Sequence, residues 1–299
     1  MVKTHNIGNL TWIDVGTPDE REIRLLMEEY KIPEEAAEDL LSPTPKQTVS
    51  VYPNCVYLVL HFPILSQNKT ADHRQEIDFI VGEHFLITVH YDKVKQIDNF
   101  RDTLGEMDSE ENNGGFLFHR LTKHLYHSLL RDVDTIRSAL HKAETSIFKG
   151  EERKMVQELS RIHRDILRFR NAILPHREAI VTLHSAFKDF LGEKYERLIH
   201  DMSAEYQRVE RRMQANKELL DELRLTNDSL LSSKQNEAIK SLTMMAFCTF
   251  PLTLIAALFA MRTETMPIIG LKGDFWIIIL MMLALVASFI GYFSYKKWL

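Results

Sequence analysis

Two long apolar runs dominate the end of the chain. Residues 241–261 (SLTMMAFCTFPLTLIAALFAM) and 275–295 (FWIIILMMLALVASFIGYFSY) are each 21 residues long and carry no charge. As helices they would each extend about 31 Å, enough to cross a hydrocarbon core of about 30 Å. Pro251 inside the first run would kink a soluble core helix, whereas a membrane helix can satisfy the freed carbonyl locally. The pattern predicts two membrane spans joined by a loop over 262–274, a hairpin that returns both ends to one side.

Upstream, the period changes. No Gly or Pro occurs between Glu193 and Phe250, which predicts one helix of about 87 Å. Its apolar positions step by three and four through Ile199, Met202, Tyr206, Val209, Met213, Leu220, Leu223 and Leu230. Asn216 and Asn227 sit in the same seam, as in a coiled coil whose register is pinned by polar residues. The same stripe can equally pack on the chain's own helices. Phe118, Leu121, Leu125, Leu129, Val133, Ile136, Leu140 and Ile147 predict a further amphipathic helix over about 116–148. Met155, Leu159, Ile162, Ile166, Phe169 and Ile173 predict another, with a kink at Pro175 and an end near Gly192.

The first third reads differently. Val49–Val51, Val56–Phe62, Ile77–Val81 and Phe85–His90 are short β-rich runs bounded by Pro, Asn or Gly. Asp19–Tyr30 and Pro33–Leu41 predict short helices with a proline near each start. The expected class is an α+β membrane protein. An α/β domain over 1–107 is followed by stalk helices over 108–240, with a polar linker at Asp108–Gly115, then by spans at 241–261 and 275–295 and a basic tail at 296–299.

Charge sharpens this division. The 299 residues hold 37 Lys+Arg and 42 Asp+Glu, but residues 241–299 contain only four cations and two anions. The polar part is therefore net −7 and the tail net +2. That excludes a wholly soluble protein, a nucleic-acid binder driven by net charge, and intrinsic disorder. Lys234, Lys240, Lys296 and Lys297 flank the spans, while the loop balances two cations with two anions, so the positive-inside rule puts both termini in the cytosol. Cys55 and Cys248 are too few and too differently placed for a disulfide framework. The first ten residues resemble neither a secretory signal nor a transit peptide, which fits a prokaryotic plasma (inner) membrane.

Two spans cannot enclose an aqueous pathway alone, but a symmetric ring of chains can. One face of the first span carries Ile239, Leu242, Ala246, Phe250, Thr253 and Ala257, with Asn236 one turn inside. Lining a pore, that face offers a polar entry at Asn236, an apolar constriction at Ile239, Leu242 and Phe250 able to gate by dewetting, and a hydroxyl ring at Thr253. It could equally be the face that packs on the second span.

The chain resembles the CorA family of divalent-cation channels. The resemblance rests on Trp12-Ile13-Asp14-Val15 with Pro18 and Glu22, on the hairpin IDFIVGEHFLITVH over 77–90, and on Arg170, Leu174, Pro175 and Arg177. Its strongest part is Asn236-Glu237, Lys240, Leu242-Thr243, PLTLIAALFAM from Pro251, and the ending Lys296-Lys297-Trp298-Leu299. The resemblance implies a homopentamer in the lipid bilayer, with a cytosolic funnel and a stalk helix that continues into the pore-lining span. It also implies a divalent cation as cargo: Mg²⁺ by default, with Zn²⁺, Co²⁺ or Ni²⁺ as the other candidates. A zinc-transporting branch, similar to ZntB-type proteins, shows that mouth motif and ion can change together. By a gap-free count, Asp201 falls near an interfacial carboxylate that binds a regulatory cation in some members, and Leu225 where some place a pore-facing Asp.

The chain departs from the family at the pore mouth. Ala260-Met261-Arg262 stands where family magnesium channels carry Gly-Met-Asn, and Ile268 stands where an acidic residue is common, although Glu264 and Met266-Pro267 are kept. A hydrated divalent cation is held by oxygen acceptors, whereas arginine offers only donors. Five arginines in a ring would repel a dication by several kcal/mol at an effective dielectric of about 20, unless each turns outward to pair with Glu264. This leaves two alternatives: a non-conducting membrane sensor or scaffold, and a pore of altered, anion, selectivity.

Other candidates are weaker. His119, His124 and His127 lack a Cys or carboxylate at ligand spacing and read as solvated, and Glu34, Glu35, Glu38 and Asp39 read as a solvated helix face. No phosphate loop, HExxH or GxSxG is present, so no enzyme activity and no cofactor are expected.

Overall fold

The computed structural model describes residues 2–64, 74–104, 113–192, 195–261 and 273–296. They form two compact units, divided between Arg224 and Leu225.

The first unit is built on one six-stranded sheet of order β1-β2-β6-β5-β4-β3. Its strands are β1 (Val2–Ile7), β2 (Leu10–Gly16), β3 (Val49–Val51), β4 (Val56–Pro63), β5 (Arg74–Val81) and β6 (Phe85–His90). All neighbours are antiparallel except β2 and β6, which pair in parallel. Strands β4 and β5 are buried almost end to end, although only β4 reads as a nearly continuous apolar run; β5 carries Gln75, Glu76 and Asp78 inside. Helices α1 (Glu20–Tyr30) and α2 (Glu34–Asp39) share a core with Ile13, Val15, Tyr57, Val59, Ile80, Ile87 and Val89. Those strand residues alternate, so they mark one face of the sheet. Helices α3 (Lys95–Arg101) and α4 (Gly114–Phe148) pack on each other, and α4 also meets β2, β5 and β6. Phe79 on β5 meets Phe118 of α4 edge-on at 5.2 Å, and Trp12 on β2 meets Phe100 of α3 at 5.6 Å.

Helix α5 (Glu152–Ile173) packs against α4, and α6 (His176–Leu191) against β3 and β4. Pro175 breaks the chain into two helices instead of kinking one, because it begins the new helix, where its missing N–H costs nothing. The expected linker is helical at its end: Asn113 caps α4 by accepting from the Phe116 amide at 2.9 Å, and Gly114 and Gly115 are buried in the first turn. The expected boundary near Met107 lies outside the described residues.

Helix α7 runs unbroken for 65 residues, Glu196–Ala260, through Pro251. The stripe foreseen on it is buried from Ile199 to Leu223, and it packs within the chain. Asn216 donates to the Val133 carbonyl of α4 at 2.9 Å, and Tyr206 meets Tyr126 edge-on. Asn227 is buried as well.

The second unit holds the rest of α7 and α8 (Asp274–Tyr295). Both helices are long and apolar enough to cross a membrane. Their apolar side chains stay largely exposed; in α8 only Phe293 is buried. Such a surface needs lipid or further protein around it.

Candidate ion pathway

Helix α7 positions the candidate pore residues by its pitch alone. At about 100° per residue, Asn236, Ile239, Leu242, Ala246, Phe250, Thr253, Ala257 and Ala260 fall within an arc of about 120°. Asn236 and Thr253 are exposed, as are Ile239 (61%), Leu242 (69%) and Phe250 (72%). Among the described residues, none covers the Ile239, Leu242 and Phe250 side chains proposed for the constriction. Beside it, Leu242, Thr243, Ala246, Phe247, Phe250 and Pro251 line an apolar groove of about 490 Å³.

Pro251 removes the hydrogen bond that the Phe247 carbonyl would otherwise accept. The flanking hydroxyls turn inward to the helix. Thr249 Oγ1 donates to the Met245 carbonyl at 3.0 Å, and Thr253 Oγ1 donates to the carbonyls of Phe250 at 2.8 Å and Thr249 at 3.1 Å. The proton of Thr253 is thereby committed, and what its oxygen presents outward is an acceptor. Helix α7 ends at Ala260, with exposed Met261 donating its amide to the Leu258 carbonyl at 3.3 Å. Arg262 and Glu264, the rest of the expected mouth, lie outside the described residues.

Asp201 sits half-buried on α7, one turn before buried Glu205. Glu205 accepts from Arg208 at 3.1 Å and faces His127 Nε2 at 3.6 Å. Across from them on α4, His119 is buried with neither ring nitrogen partnered among the described residues. Burial first, then the charge of Lys123, lowers its pKa, against the pull of Asp201 and Glu205. His124 Nε2 is also buried without a partner among the described residues. His119 and His124 are thus not solvated as expected, because α4 is covered on more sides than its sequence period shows, whereas His127 is exposed as expected. Among the described residues, no three His, Cys, Asp or Glu side chains are arranged to hold a metal. Glu34, Glu35, Glu38 and Asp39 form an exposed face of α2, as expected, and Leu225 is exposed.

Sequence reasoning did not find two buried polar clusters in the sheet. In one, Asp14 accepts from Arg101 Nη2 at 2.9 Å and Thr88 Oγ1 at 2.9 Å, and lies 3.3 Å from His90 Nε2. In the other, Glu76 and Asp78 lie buried beside His61, Tyr57 and Tyr91. Charged residues inside otherwise apolar strands were the available signal.

Residues 8–297 match the model of the CorA-like Mg²⁺ transporter protein family. The chain belongs to that family. Curated relatives include the YfjQ protein of Bacillus subtilis, 23% identical over 96% of this chain and 89% of its own length. The cobalt/magnesium transport protein CorA of Thermotoga maritima is 21% identical, over 97% of this chain and 83% of its own. Among solved structures, the complete CorA magnesium transporter of Methanocaldococcus jannaschii superposes with a TM-score of 0.84 at 18% identity, covering 97% of this chain and 92% of that one. This likeness establishes the fold: an N-terminal mixed sheet with helices, a long stalk helix and two apolar C-terminal helices. Family transporters are not enzymes, in keeping with the missing catalytic motifs.

Proposed function

We propose that this CorA-like chain assembles as a homopentamer and conducts divalent cations, Mg²⁺ by default, across a prokaryotic plasma membrane with both termini in the cytosol. The observation that carries this reading is the uncovered arc of α7, polar at Asn236, apolar at Ile239, Leu242 and Phe250, and oxygen-bearing at Thr253. Five copies turning that arc inward would build an entry, a dewetting gate and an acceptor ring. The commitment of the Thr253 proton to backbone carbonyls supports cations over anions, because the ring then offers lone pairs to a cation or its bound water. Ala260, Met261, Arg262 and Glu264 form the mouth in this reading, and Asp201 binds a regulatory cation with a carboxylate from a neighbouring subunit. Arg262 favours a second reading, a sensor that does not conduct, because it puts a donor where the cation needs acceptors.

Flux into proteoliposomes decides between them, with Mg²⁺, Zn²⁺, Co²⁺ and Cl⁻ tested separately and Arg262→Asn beside the wild type. Selective divalent flux in wild type is the expected result. Chloride flux, or wild-type silence with divalent flux restored in Arg262→Asn, would overturn it and favour the anion pore or the sensor, respectively.

A further inference from the structure

Two carboxyl side chains point the same way from the middle of the sheet. Glu76 and Asp78 are i, i+2 neighbours on β5, so both rise from one face, and they are 9% and 0% exposed. The titratable groups around the pair are His61 and Tyr57 on β4, Tyr91 after β6 and Asp39 at the end of α2. Beyond His61 a cleft of about 390 Å³ adds Lys46, Arg74 of β5 and Glu178 of α6. Two buried carboxylates beside one imidazole are costly to ionise together.

The contacts divide between the two. Glu76 takes the Thr44 amide on both oxygens, at 2.7 and 2.9 Å, and faces His61 Nε2 at 3.2 Å. His61 Nε2 also lies 2.9 Å from the Thr44 carbonyl. Since both of its neighbours accept, that nitrogen is the donor. Asp78 meets the Glu76 carboxyl and two tyrosines: its Oδ2 accepts from Tyr57 at 3.4 Å and Tyr91 at 3.3 Å, and its Oδ1 is buried with no hydrogen-bond partner among the described residues. Tyr91 in turn reaches the carbonyls of Ser42 at 3.1 Å and Asp39 at 3.4 Å. Glu76, His61 and Tyr91 thus all reach the segment that leaves α2 and crosses to β3, residues 39–47, which works as a strap: Glu76 and His61 hold Thr44, and Tyr91 links Asp78 to Ser42 and Asp39.

We propose that Glu76 and Asp78 form a proton-dependent clasp that holds the 39–47 strap closed while Asp78 is protonated and releases it as Asp78 ionises. Burial first, then the charge of Glu76, pushes the Asp78 carboxyl up to about 8. With the strap lifted, Asp78 meets water and ionises near its ordinary value of about 4. Between those limits the closed state holds one proton that the open state lacks. The closed state is thus favoured by acid, and its advantage fades as pH rises toward 8. The strap begins at the last residue of α2, so its release also frees the end of that helix. The clasp ties the position of α2 to pH and does not depend on whether the chain conducts ions.

Hydrogen exchange of the full-length protein in detergent micelles tests this, with rates corrected for the intrinsic pH dependence of exchange. In wild type the Thr44 amide should lose protection about tenfold per pH unit between about pH 6 and 8, while amides within β4 and β5 keep theirs. In Asp78→Asn, which cannot ionise, the slope should vanish. In Glu76→Gln, which removes the neighbouring charge, the levelling-off should move to lower pH. A flat wild-type profile would overturn the clasp even if neither variant folds. An unchanged slope in Asp78→Asn would place the titration on another group and overturn it as well.

Discussion

Asp14 shows how much one buried carboxylate can hold. It sits at 3% exposure near the end of β2, with Arg101 from α3, and Thr88 and His90 from β6, converging on its two oxygens. Thr88 relays the contact by accepting from Trp12 Nε1 at 3.1 Å, so the indole is fixed to the same cluster. Burial works to raise the Asp14 pKa, but His90, Thr88 and Arg101 outweigh it and hold the carboxyl below its ordinary range. Its stabilising contribution is therefore present at neutral pH and is lost as pH falls below about 4 and through the depressed value. Asp14→Ala removes the partner while leaving Arg101 only 20% exposed, a loss of about 3–5 kcal/mol. Denaturant melts should show it directly, and in Asp14→Asn the acid side of the stability profile should flatten. A wild-type midpoint in Asp14→Ala would show that the cluster contributes little.

At the scale of elements, the entry into α4 is a close fit. The Gly114 amide donates to the Glu83 carbonyl at 3.0 Å, which presses the first turn of the helix onto the β5–β6 turn. A Cβ on Gly114 would collide with the carbonyl oxygens of Gly82 and Phe85, backbone atoms that cannot swing aside. Gly114→Ala should therefore undock the start of α4 and lower the thermal midpoint by several degrees, whereas Asn113→Ala should cost only a cap, about 1 kcal/mol. Equal midpoints for the two variants would refute the close fit. Much of this layer was legible in advance. Phe85–His90 and the helix over 116–148 follow from runs of period two and of three to four. Strand β1 was not, because Val2–Ile7 mixes His5, Lys3 and Asn6 into a half-buried edge. Nor was β2, where Asp14 interrupts the apolar run, or α3, a short helix with only Ile97 and Phe100 buried. The two polar clusters were out of reach for a different reason. His61 and Glu76 meet only through the pairing register of β4 and β5, and Arg101 lies 87 residues from Asp14. The candidate pathway, by contrast, lies on one helix, so spacing alone brought its residues together.

At the scale of the molecule, the chain separates its chemistry along its length. Nearly all its charge precedes residue 241, and beyond it α7 and α8 present apolar surface that the described residues leave exposed. Burying that surface in lipid and in further copies of the chain is what would stabilise an assembly of such units. Within it, the exposed ring at Phe250 is the widest apolar side chain on the proposed pore arc, one turn before Thr253. A narrow apolar ring excludes water and so stops a hydrated ion without any charge. Truncating it to alanine removes five phenyl rings from the passage in a pentamer and rewets it, so Phe250→Ala should raise divalent leak severalfold in reconstituted vesicles. Ala257, on the same arc but already small, serves as the control: Ala257→Gly should leave the leak near wild type. Unchanged leak in Phe250→Ala, in a preparation that conducts, would move the gate to Leu242 or Ile239. Leak raised equally by Ala257→Gly would mean that loosening the helix, not removing the ring, had opened the passage.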